Sequence, residues 1–90
     1  MTLRERLDKC ALDGALSTAD IAVWMDLPHA TVRSYRNGVE PYPARRQQID
    51  ERLQWLEQAV RKSRLLPVPL EVRSHQRKAH ILRVRRDFDR

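Results

Sequence analysis

This 90-residue chain is short of the residues that most often mark a mechanism. Its one cysteine, Cys10, excludes an intrachain disulfide and the zinc sites built from two to four cysteines. Its two glycines, Gly14 and Gly38, leave no room for a glycine-rich loop around a phosphate. His75 and His80 are five residues apart, a poor helical spacing for two ligands of one metal. No Ser-His-Asp or paired-carboxylate arrangement stands out. Neither an enzyme nor a cofactor, metal or small-molecule substrate is therefore expected. No apolar run reaches the ~18–20 residues that span a bilayer, and the first twenty residues lack the apolar stretch of a secretory signal. A membrane partner is not expected, and the lone cysteine suits a reducing, cytoplasmic setting.

Positive charge is plentiful. Eighteen Lys and Arg face twelve Asp and Glu, for a net charge of +6 and a pI near 10.4, which points to a polyanion as partner. The excess is uneven: residues 1–70 are net +2 and residues 71–90 net +4. Fifteen of the eighteen cations are arginine, whose forked guanidinium suits phosphate and guanine, although a genome rich in G and C produces the same bias. Hydrophobic residues make up 41% of the chain, enough for one small domain with a thin core.

Periodicity places helices along most of the chain. Thr2 caps a first helix over about 3–13, with Leu3, Leu7 and Cys10 on one face and Gly14 as its stop. Ser17 or Thr18 caps a second over about 18–25, with Asp20 in its first turn and Ile21, Ala22 and Met25 buried; Trp24 beside them is expected in the core. After Asp26-Leu27, Pro28 suits the first turn of a third helix whose inner face carries Val32 and Tyr35, closed by Asn37-Gly38. The cleanest repeat, Ile49, Leu53, Leu56 and Val60, defines a fourth helix over about 44–63. Between it and the end, the prolines of Leu65-Leu66-Pro67-Val68-Pro69-Leu70 enforce an extended run. Residues 75–88 fit a helix with Ile81, Val84 and Phe88 on one stripe and Arg77, Arg83 and Arg86 off it. A hairpin of 65–73 with 80–86 fits the alternation of Leu66, Val68, Leu70 and Val72. The prolines weaken a strand, so the helix is preferred. The expected fold is thus all-α: a small helical domain over 1–63, with an extended proline-containing segment and a basic C-terminal extension over 64–90.

Residues 18–37 resemble the helix-turn-helix of phage repressor and Cro proteins. Two short helices crossing steeply need a small residue at the crossing and apolar residues at fixed offsets. Ala22 is the small residue, and Ile21, Met25, Leu27, Val32 and Tyr35 occupy the apolar positions. The turn departs from the pattern, carrying Asp26 where glycine is usual; aspartate tolerates the left-handed region at some cost. The resemblance covers about residues 3–60. It implies sequence-specific binding of double-stranded DNA, with residues 28–37 in the major groove. His29, Ala30, Arg33, Ser34 and Asn37 stand at the base-reading positions, where Arg can fork onto guanine and Asn onto adenine. Thr31, Arg36, Arg45 and Arg46 are placed to hold phosphates. No acid occurs from Pro28 to Val39. A helical hairpin in a bundle that binds no DNA would share the apolar spacing, but that acid-free outer face speaks against it.

Weaker similarities extend to MerR-like and excisionase proteins, whose wing the prolines of Val39-Glu40-Pro41-Tyr42-Pro43 disfavour, and to the first domain of phage small terminase subunits. The leading expectation is a phage or bacterial transcriptional regulator. The alternatives are a DNA-packaging adaptor and a protein-binding or inhibitor module that uses the basic tail. Trp55 and Ala59 lie off the main stripe of the fourth helix, a hint of a homodimer face or of a seat for residues 65–70. The Arg-rich end, 73–90, suits a phosphate backbone, an acidic protein surface or plain solvation.

Overall fold

The computed structural model describes residues 1–62 and 74–88 of the chain. Every element among them is a helix: α1 (Leu3–Gly14), α2 (Thr18–Met25), α3 (His29–Arg36), α4 (Pro43–Arg61) and α5 (Ser74–Phe88). The terminal segment is thus helical, as the prolines implied; residues 65–70 lie outside the described residues.

Local chemistry sets the boundaries. The Thr2 hydroxyl accepts the Glu5 N–H at 3.1 Å and caps α1. Ser17 and Asp20 form a reciprocal box at the start of α2, each side chain accepting the other's backbone N–H, at 2.9 and 3.1 Å. The end of α1 differs from expectation. Gly14 stays helical and is buried, where an added Cβ would stand 3.1 Å from Leu16 and 3.3 Å from Val60. The left-handed residue is Ala15, at φ 53° and ψ 47°. Leu16 then donates back to the Ala11 carbonyl at 2.9 Å and drops its side chain into the core, which holds Ala15 in that conformation.

α2 is the hub, packing against α3, α4 and α5, while α1 closes over α3 and α4. Leu7, Ile21, Trp24, Val32, Leu53 and Leu56 have no exposed surface. On α4 the buried stripe runs Ile49, Leu53, Leu56 and then Ala59, with Val60 only half-buried. The rings of Trp24 and Trp55 lie 4.8 Å apart at 43°, and the Arg85 guanidinium sits 5.9 Å from the Trp55 centroid. Trp55 and Ala59, expected as a second apolar face for a dimer or a seat for residues 65–70, contact their own chain, Ala59 fully buried and Trp55 half-buried.

Arginine joins the helices. Arg6 on α1 bridges Asp50 and Glu57 on α4 at 2.5 and 2.6 Å. Arg52 donates to the Met25 and Asp26 carbonyls at 3.0 and 3.1 Å, a cation at the negative end of α2. Arg77, expected off the apolar stripe of α5, is buried, and donates Nε (3.3 Å) and Nη2 to the Asp20 carboxylate. Arg85 donates to the Val23 carbonyl at 3.0 Å, and Ile81 enters the core. The C-terminal helix is a packed face of the fold.

Candidate nucleic-acid interface

The α2–α3 unit rests on a three-residue turn, Asp26-Leu27-Pro28. Asp26 adopts φ 55° and ψ 51°, the left-handed conformation that the position demands and that glycine usually supplies. Its N–H and that of Leu27 return to the Val23 and Ala22 carbonyls at 3.3 and 3.0 Å, closing α2. Pro28, at φ −59° and ψ 143°, redirects the chain into α3. Ala22 is 4% exposed on the inner side of α2, where a larger side chain would overpack the core. Gly38, at φ 99°, lets the chain leave α3.

With Val32 and Tyr35 buried, the opposite side of α3 is set by helical geometry. His29, Ala30, Arg33 and Asn37 are exposed, and Ala30, Arg33 and Asn37, spaced three and four apart, share one stripe. Ser34 and Thr31 are half-buried on its flanks. The exposed Arg33 side chain has no ion pair among the described residues, so its five donors are not engaged by a carboxylate there.

The cations expected to hold phosphates are placed differently. Arg36 turns inward: Nε donates to Asp8 at 2.9 Å and Nη1 to Thr18 at 2.9 Å, joining α3 to α1 and to the start of α2. Its role in the structure is that of a strut. Arg46 is exposed, 3.5 Å from Glu40, and borders a depression shared with Met1 and Thr2 ahead of α1. Arg45 is exposed in the first turn of α4, which begins at Pro43, has no side-chain cap and carries no acid. Two cations there oppose the helix dipole, an arrangement that an anion would relieve.

A second set of cations, not singled out from sequence, borders the same surface. A shallow depression of about 340 Å³ is lined by Ala22 and Val23 of α2, by Asp26 and His29 around the turn, and by Lys78 and Arg85 of α5. Lys78, Leu82 and Arg85 are spaced four and three apart, so one helical face carries all three; that spacing was the available signal. What sequence could not reveal is that α5 lies against α2 at all.

Two buried side chains, Asp20 and Cys10, are held away from their ordinary ionisation. Burial pushes the Asp20 carboxyl up, but the Arg77 hydrogen bond and the Ser17 N–H outweigh it, leaving the group below the ordinary 3.8. Burial beside Glu57 and Asp13 pushes the Cys10 thiol up to about 11, so it remains protonated and unreactive at neutral pH.

No described helix is long and apolar enough to cross a membrane. No protein family, characterised protein or solved structure matches this chain.

Proposed function

We propose that this chain is a sequence-specific double-stranded DNA-binding protein that lays α3 in the major groove and acts as a phage or bacterial transcriptional regulator. One observation carries the reading. α3 is anchored by Val32 and Tyr35 and offers His29, Ala30, Arg33 and Asn37 on an exposed, acid-free side, with the Arg33 guanidinium unpaired among the described residues. Arginine in that setting can donate to guanine O6 and N7, and Asn37 can pair with adenine N6 and N7. The net charge of +6 supplies the sequence-independent attraction to phosphates. A DNA partner places the site of action in the bacterial cytoplasm or nucleoid.

Selection of bound duplexes from a random-sequence pool, followed by titration of the enriched duplex at several salt concentrations, tests this directly. The expected result is an enriched motif a few base pairs wide and an affinity that falls steeply with salt. A pool that stays random, with no retention at low salt, overturns the reading and leaves a protein partner as its replacement.

A further inference from the structure

The depression between α2 and α5 has one wall that the major-groove reading uses and one that it does not. His29, at the start of α3, belongs to the base-reading side. Lys78 and Arg85 of α5 line the same depression, together with Ala22 and Val23 of α2. Ala22 and Val23 are small and uncharged, which leaves room at the depression for a duplex lying on α3. Arg77 fixes the start of α5 to Asp20 in the first turn of α2, while Arg85 reaches Val23 nearer its end. Lys78, next to Arg77, therefore lies beside the beginning of α2, and Asp26 lies at the other end of that helix.

Of the cations of α5, only Lys78 and Arg85 line the depression, and Arg77 stands next to Lys78 in the chain. Arg77 and Arg85 are committed to Asp20 and to the Val23 carbonyl with the Trp55 ring. Lys78 is exposed and has no ion pair among the described residues. Leu82, one turn later on the same face, is 37% exposed, which leaves the wall open rather than filled. A lysine is a point charge on a flexible stem, suited to a phosphate oxygen and poorly suited to reading a base.

We infer that α5 is a second DNA-contacting element, in which Lys78 holds a backbone phosphate of the same duplex whose major groove α3 reads. This rests on the proposed DNA-binding function and adds to it a clamp on the far side of α2. The contact is independent of sequence. It fixes register and lengthens the footprint without changing the preferred bases. It also gives a small domain a second anchor on DNA from within one chain.

The test compares the full chain with Lys78→Gln and Leu82→Lys on the selected duplex and on a random one, across a salt series. Both positions are exposed, and thermal melting confirms that each variant folds. Lys78→Gln is expected to weaken both duplexes by the same factor. It should also reduce the slope of log affinity against log salt by about one, the loss of roughly one phosphate contact. Leu82→Lys is expected to raise affinity and slope on both. Neutral methylphosphonates placed singly along the duplex should weaken the unchanged chain at one position to which Lys78→Gln is indifferent. A selective chain whose affinity, slope and phosphate sensitivity survive Lys78→Gln, with Leu82→Lys without effect, overturns the α5 contact and leaves α3 binding standing. A chain that binds neither duplex overturns both.

Discussion

Arg77 and Asp20 stand 57 positions apart in the chain and form its buried ion pair, with side chains 10% and 5% exposed. The same carboxylate completes the cap of α2, so one acid both starts the helix and seats the helix that covers it. Charge that reads as a solvated basic tail is here a fastening.

Removing one member of such a pair leaves an uncompensated charge out of water. Arg77→Ala is expected to cost about 3–5 kcal/mol of stability, a large share of what a small domain has. Urea unfolding measures it. Combining Asp20→Ala with Arg77→Ala should cost much less than the sum of the single changes, apart from about 1 kcal/mol for the lost cap. Additive losses would mean that the two side chains do not act together.

The pair also sets a response to acid. Asp20 titrates lower in the folded chain than the ordinary 3.8 it has when unfolded. Its contribution is therefore complete above that value and is lost as pH falls through the lower, folded one. Thermal melting between pH 6 and pH 2 should show a steep decline at the acid end that is shallower in Asp20→Asn. Identical pH profiles would contradict this assignment.

Ala15 occupies the left-handed region without glycine's freedom, a conformation that costs an L-residue about 1–2 kcal/mol. Ala15→Gly should recover part of this, roughly 0.5–1 kcal/mol after glycine's greater unfolded entropy is counted. Asp26→Gly should gain less, because aspartate visits that region more readily. A drop in melting temperature for Ala15→Gly would count against the turn described.

On DNA, Arg33→Ala should lose discrimination at one or two base pairs, worth about 1–3 kcal/mol, while keeping most of its affinity for random duplex. Arg45→Ala should weaken selected and random duplexes alike. Arg36→Ala should lower the melting temperature, since its guanidinium binds Asp8 and Thr18. Equal losses on both duplexes for Arg33→Ala would remove Arg33 from base reading.

Local signals were readable because they act over a few residues. Thr2, Ser17 with Asp20, Pro28 and Gly38 mark helix ends, and Ile21, Ala22 and Met25 mark the buried side of α2. The left-handed turn at Asp26 followed from the same pattern. Where the sequence misled, the deciding contact was distant. Nothing within several residues of Arg77 shows that it meets Asp20, or near Trp55 that it meets Trp24. Arg36 looks like a surface cation because its partners, Asp8 and Thr18, lie far back in the chain. The outer side of α3 was legible; the wall contributed by α5 depends on a tertiary contact with no local trace.

The docking of α5 on α2 also has a kinetic meaning. Contacts among α1, α2 and α3 join near neighbours and close small loops, whereas Asp20–Arg77 and Val23–Arg85 close loops of about sixty residues, which is slower. The α1–α3 unit should therefore assemble early in refolding, with α5 settling onto it last. Arg77→Ala would then speed unfolding while leaving the refolding rate nearly unchanged, which stopped-flow tryptophan fluorescence can resolve. The surface facing α3 would be complete, for a short interval after synthesis, before its second wall is in place.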